Sequence, residues 1–242
     1  MQRVFCDGSY MQWREEGIVL SQKYFSENSR IVTIFNRSLG KVSGLQKGLK
    51  TPVHPGDIGD IIWKGRTSEH LGLLTIENIF SPFTHVLGNS YGVFAIDSAC
   101  SLCKNGMPEK APHPGLFDSL KALMFSVPSS NWIVDYIFFE IKFLSEVGFG
   151  LDLSKCVLTG AVEGLSYVSP RTGRAVTKEA GEKYRNKLLK LPKFLVSGDR
   201  NPESEDIFYA LKITEHFLRA YFYDINGRGL PFSRDYLVKN AL

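Results

Sequence analysis

From Glu15 to Ile79 the chain passes through short runs rich in Ile, Val, Thr, Phe and Trp: EEGIVLSQKY, SRIVTIFNR, GKVSGLQKG, GDIIWKGRT and GLLTIENIF. Turn-forming residues separate them, at SENS, RSLGK, TPVHPGDIG and SEHLG. β-Branched and aromatic runs punctuated by Asn, Gly, Pro and Ser read as strands. Five strands in about 65 residues, with many Gly positions for bends, suit a sheet that closes on itself. The pattern predicts a five-stranded barrel of the OB-fold type, and an SH3-like barrel satisfies it almost as well.

After Ser81-Pro82 the apolar period lengthens to that of a helix. Phe94, Ala95, Ala99 and Leu102 mark one helix over 91–102, and Leu116, Leu120, Leu123 and Met124 a second over 115–125. Ile133, Tyr136, Ile137, Ile141, Leu144 and Val147 line a third over 132–147, stopped by Gly148 and Gly150. A further helix is expected after Asn201-Pro202, read as a cap with proline at the first position, and should end before Asn226-Gly227. Between these, 156–177 is rich in Gly and Ser with short β-like pieces. The expected class is α+β, strands first and helices after. Residues 1–10 form an N-terminal extension, 11–81 the barrel, and 82–242 a helical bundle with a small β-rich insertion at about 154–180.

Composition is ordinary for a globular chain, 43% apolar and 22% charged over 242 residues. No apolar run reaches the roughly 20 residues that span a bilayer, and MQRVFCDGSY lacks a signal peptide's apolar core. A cytoplasmic protein without a membrane partner is expected. Net charge is only +4, but it is unevenly spread. Residues 28–56 hold no acid, while Arg30, Arg37, Lys41, Lys47 and Lys50 all fall there. A second run of Lys and Arg extends from Arg171 and Arg174 to Lys193, diluted by Glu179 and Glu182. Two basic segments in a near-neutral chain point to a polyanion partner, against the plainer alternative of solvated surface.

Catalytic patterns are missing. GLQKGLKT echoes a phosphate-binding loop, but Leu49 intrudes before Lys50-Thr51 and Pro52 denies the helix that should follow. CSLC (Cys100 to Cys103) falls on a helical face and reads as two small buried residues rather than a redox pair. His54, His70, His85, His113 and His216 are scattered, without HxH or HExxH spacing. No enzyme activity and no cofactor are expected.

FEIKFLSEVGFGLDLSKC (139–156), SYVSPRTGRAV (166–176) and KLLKLPKFL (187–195), with the opening strands WREEGIVLSQKYFSENSRIVTIFNRSLGKVSGLQKGLK, resemble the RecO family of bacterial DNA repair proteins. PEKAPHPGLFDSL (108–120) fits a helix-linking segment of that family. The resemblance implies an OB-fold followed by a helical domain. It also implies sequence-independent binding of single- and double-stranded DNA and annealing of complementary strands. The implied partners are RecR, the C-terminal tail of single-stranded-DNA-binding protein (SSB) and, indirectly, RecA, in DNA repair and homologous recombination in the cytoplasm at the nucleoid. Other readings are a different OB-fold nucleic-acid-binding protein and a non-enzymatic adaptor for acidic proteins.

An OB barrel holds strands with a positive groove and aromatic platforms. The candidate DNA-binding residues are Arg14, Arg30, Arg37, Lys41, Lys47 and Lys50 on the barrel and Arg171 and Arg174 on the insertion. Period two places Lys41, Ser43, Leu45 and Lys47 on one face of their strand, with Val42 and Gly44 toward the core. Tyr24 and Phe25 could stack on bases, whereas Phe35 and Trp63 read as packing. In zinc-bearing relatives the insertion holds two cysteine pairs; here Cys156 stands alone, with Thr159 at the second position and no Cys or His in YVSPRTGRAVTKEAGEKY. One thiolate cannot hold tetrahedral zinc, so no metal is expected. Leu158, Leu165, Tyr167 and Val168, with turns at Ser169-Pro170 and Thr172-Gly173, should stabilise the insertion, and Cys156 should simply be buried.

Overall fold

The computed structural model describes residues 11–48, 52–67, 70–129, 132–225, 227 and 229–240. It divides into two compact units, Met1–Pro128 and Ser129–Leu242.

In the first unit, β1 (Met11–Ser26), β2 (Ser29–Asn36), β3 (Gly40–Lys47), β4 (Ile58–Gly65) and β5 (Gly72–Phe80) form a closed barrel in the order β1-β2-β3-β5-β4. This is the five-stranded OB-type architecture the strand pattern predicts. Length lets β1 serve two neighbours: its first half pairs with β4 from Met11↔Gly65, its second with β2 as far as Ser26↔Ser29. The alternation of side chains sends Val19, Val32, Ile34, Ile61, Leu74 and Ile76 into one interior cluster. Phe35 and Trp63 are core residues, at 0% and 2% exposure.

The barrel closes at a short parallel seam, where β3 meets β5 only at Gly44↔Gly72 and Leu45↔Leu73. Glycine is needed here because the chains come too close for side chains. A Cβ on Gly72 would lie 2.3 Å from the Trp63 ring and 2.6 Å from the Lys64 carbonyl oxygen, and one on Gly44 would lie 2.7 Å from Leu74 Cβ.

Helices α1 (Pro82–His85), α2 (Ser90–Gly106) and α3 (Pro114–Ser126) lie in the same unit. Asn89 caps α2, its side chain accepting from the Gly92 N–H. Cys100 and Cys103 are both fully buried on α2, and burial pushes both thiols up, as inert packing groups require. Phe117 of α3 meets Phe35 edge-on at 5.9 Å.

The second unit contains α4 (Trp132–Glu146), β6 (Leu165–Val168), β7 (Ala175–Thr177), α5 (Lys178–Gly181), a 3₁₀ segment (Glu182–Lys187), β8 (Leu189–Lys190), α6 (Phe194–Ser197), α7 (Ser204–Arg219) and α8 (Phe232–Asn240). The three short strands make the sheet β7-β6-β8, which is the β-rich insertion. Its turn follows expectation: Thr172 and Gly173 N–H groups donate to the Ser169 carbonyl, and Gly173 takes φ +69°. Two details differ from the sequence reading. Leu158 is 64% exposed, whereas Val168 is buried at 0% and Leu165 and Tyr167 are half-buried. Helix α7 is capped at Glu203, so Asn201-Pro202 precedes the cap instead of forming it.

Helix α8 is held by a buried ion pair. Arg234 donates to the Glu140 carboxylate at 3.0 and 3.2 Å, and both side chains are 0% exposed. Tyr136 and Thr214 donate hydroxyls to the same carboxylate. Burial works against the Arg234 charge, but Glu140 outweighs it and raises the guanidinium pKa further. No helix of the described residues is long and apolar enough to cross a membrane.

Candidate nucleic-acid interface

The candidate cations do not share one environment. Arg30, expected on the binding surface, lies inside at 3% exposure because its strand alternation points it inward at Tyr24↔Arg30. Its Nε donates to Gln46 Oε1 at 2.8 Å and its Nη1 to Gln22 Oε1 at 3.0 Å. Burial lowers its pKa, with opposing help from Tyr24 and Asp57. Arg14 is on the outer surface, paired with Asp60 at 2.9 Å and Glu77 at 3.3 Å. Arg37, in the β2–β3 turn, makes a forked contact with Asp118 of α3 at 3.0 and 3.1 Å, and that hydrogen bond raises the Arg37 pKa and lowers the Asp118 pKa. Lys41 is half-buried and its Nζ donates to the Lys104 carbonyl at 2.6 Å.

Lys47 differs from these. It ends β3, is exposed, and makes no ion pair among the described residues. The β3 face follows the period-two reading, with Gly44 and Gln46 buried, Val42 against the core, and Ser43 bonded across to Thr33 at 3.0 Å. Lys50 lies outside the described residues.

Lys47 stands beside the tip of the β1–β2 hairpin. It is the register partner of Ser29, and the next amide, Gly48 N–H, donates to the Asn28 carbonyl at 3.0 Å. At that tip Lys23 is exposed and unpaired among the described residues, and Tyr24 and Phe25 are 72% and 64% exposed. Lys64 and Arg66, at the end of β4, are exposed and without ion pairs among the described residues. The sequence reading passed over Lys23, Lys64 and Arg66, because each sits in a run with no local excess of charge.

In the second unit Arg171 is exposed at the insertion turn, without an ion pair among the described residues. Arg174 pairs with Asp152 at 3.4 Å. In the same insertion Cys156 is buried at 2% exposure. Burial pushes its thiol up, but the Thr159 hydroxyl and the N–H groups of Thr177, Leu158 and Thr159 outweigh that and bring it down to about 6. Thr159, read as the missing second ligand, thus serves the remaining sulfur as a hydrogen-bond donor. No group of three or more His, Cys, Asp and Glu gathers as a metal site among the described residues.

Fold and surface together define a class: an OB-type barrel with exposed cations and aromatics, joined to a helical unit with a small sheet. The family model "Recombination protein O N terminal" matches residues 11–83 and "Recombination protein O C terminal" matches residues 92–224. Proteins called DNA repair protein RecO are similar over nearly their whole length. That of Rhodospirillum centenum is 37% identical, covering 94% of each chain. That of Cereibacter sphaeroides is 35% identical over 95% of this chain and 98% of its own. That of Caulobacter vibrioides is 35% identical over 94% of this chain and 96% of its own. The chain belongs to the RecO family of DNA repair and recombination proteins.

Proposed function

We propose that the protein is a recombination mediator that binds single- and double-stranded DNA without sequence preference and anneals complementary strands. With RecR it helps RecA replace SSB, whose C-terminal tail it also binds. It works by binding, as a non-enzymatic protein of the cytoplasm and nucleoid. The barrel, 11–81, is its principal DNA module, and the helical part, 82–242, carries the partner contacts; residues 1–10, expected as an extension, lie outside the described residues.

One observation carries this reading: matches to both halves of a recombination-protein family fall on a chain whose barrel bears exposed cations free of internal ion pairs. Lysine and arginine displace condensed counterions from phosphates, which gives affinity without reading bases. Annealing needs that mode, since the base edges must stay free to find complements. Lys47 and Arg171 are the readiest contacts, and Lys50, outside the described residues, is a further candidate. Arg14, Arg37 and Arg174 must exchange a carboxylate for a phosphate, and Lys41 a carbonyl. Exposed ion pairs of this kind are screened by water and weak, so the exchange is easily made. Arg30 contributes from inside, through the strand it positions.

The decisive experiment is annealing of complementary oligonucleotides coated with cognate SSB. The protein should accelerate duplex formation over SSB alone, and Lys47→Ala/Arg171→Ala should lose much of that acceleration. An unaccelerated reaction with measurable DNA binding would favour a different OB-fold nucleic-acid-binding protein. Absence of nucleic-acid affinity at low salt would favour the adaptor.

A further inference from the structure

Adjacent residues in a regular strand face opposite sides, so a strand normally cannot leave two neighbouring aromatic rings free unless both of its faces are solvated. At the end of β1 the ladder breaks: Tyr24 pairs with Arg30 and Ser26 with Ser29, with a register shift between them that leaves Phe25 unpaired. Such bulges bend a strand and re-aim its side chains, and they concentrate beside functional sites. Here the whole tip 23–28 is exposed, with Tyr24 at 72% and Phe25, at the bulge, at 64%, while the other barrel aromatics are core (Phe35, Trp63) or half-buried (Trp13, Phe80).

The tip is built rather than frayed. Under Tyr24, Arg30 is tied to Gln22 and Gln46, so one guanidinium joins β1, β2 and β3. Ser26 and Ser29 hydroxyls meet at 2.5 Å across the turn, and Gly48 N–H anchors the end of β3 to Asn28. Two lysines without ion pairs among the described residues, Lys23 and Lys47, flank the rings, with Glu27 as the tip's acid.

We infer that Tyr24 and Phe25 form a stacking platform for successive unpaired bases, and that this tip gives the protein a preference for single strands over duplex. The inference rests on the DNA-binding reading above and extends it to strand choice. Aromatic faces capture bases of any identity, but only bases that are not already stacked inside a duplex. Cations alone grip both forms of DNA, since both present phosphates. Lys23 and Lys47 supply the charge that brings a phosphate backbone past the rings, whereas an apolar protein surface would leave both ammonium groups unmatched.

Stacking and counterion release respond differently to salt, which separates them experimentally. Affinity for a single-stranded oligonucleotide and for the matching duplex is measured over a range of salt concentrations, for wild type and Tyr24→Ala/Phe25→Ala. The double variant should bind the single strand at least about tenfold more weakly, with an unchanged slope of log K against log salt. Its duplex affinity should stay at the wild-type value, and Tyr24→Phe should retain single-strand affinity. A fluorescent adenine analogue in the oligonucleotide should report stacking with wild type and lose it with the double variant. Equal weakening on single strand and duplex would overturn the inference, as would unchanged single-strand affinity. Selective loss of binding to an acidic protein partner, with DNA binding intact, would also overturn it. If wild type binds no DNA at low salt, the DNA-binding reading itself fails; if wild type binds and the variant binds equally, only the platform does.

Discussion

A thiol removed from water normally resists ionisation, since burial penalises the charged form. Cys156 is buried, yet four donors converge on its sulfur and lower its pKa to about 6 from 9.0. The consequence for stability follows from the direction of that shift. A depressed folded-state pKa adds stability that is complete above the unfolded value, near 9, and is lost as pH falls toward 6. Wild type should therefore lose unfolding midpoint between pH 9 and 6 relative to Cys156→Ala. Thiolate absorbance should titrate near 6, and Thr159→Val should move that titration upward. A thiol titrating at its ordinary value in wild type would refute the donor arrangement. Alkylation should remain slow even where the thiolate dominates, because reagent cannot reach it. The sequence announced a solitary cysteine but could not announce this, since Thr177 approaches from twenty-one positions away.

At the scale of elements, α8 shows how a helix can be invisible in a sequence and still be firmly seated. FSRDYLVKN lacks a broad apolar stripe, and its buried positions are Ser233, Arg234 and Leu237. The attraction comes from Glu140 on α4, ninety-four residues earlier, through a pair that local periodicity cannot reveal. Removing one partner leaves a charge buried without compensation. Arg234→Leu should cost about 3–5 kcal/mol in the denaturation of this unit. Glu140→Leu together with Arg234→Leu should recover much of that loss, since both buried charges go together. A single variant as stable as wild type would show that α8 does not depend on the pair. The longer helices α2, α3 and α4 were legible because each repeats apolar residues at helical spacing, and the barrel strands because Val, Ile and Thr alternate with polar residues between Gly- and Asn-rich turns.

For the molecule as a whole, a basic run in sequence proved a poor map of free charge. Arg37 falls in the acid-free stretch 28–56 but meets Asp118, and Arg174 meets Asp152. Tertiary folding imports acids that a window of neighbours cannot see. Lys47 and Arg171 escaped this neutralisation and Arg30 was buried, so the pattern of exposed charge was half legible. Barrel topology was legible as a strand count with bends, but the place of closure was not. The seam between β3 and β5 comprises two residue pairs, while β1–β2 and β2–β3 each run for eight. Joining Leu45 to Leu73 also closes a long stretch of chain, which costs entropy before any contact rewards it. Gly72→Ala, which drives a Cβ into Trp63 and the Lys64 carbonyl, should cost about 1–3 kcal/mol by overpacking. Hydrogen exchange should find the amides of Leu45 and Leu73 less protected than those of Val32 and Ile34, and faster still in that variant. Equal protection throughout would mean that the barrel opens only as a whole. A cylinder fastened by so short a clasp can unroll along one line while its remaining ladders stay intact, so transient opening during folding or under load should begin between β3 and β5.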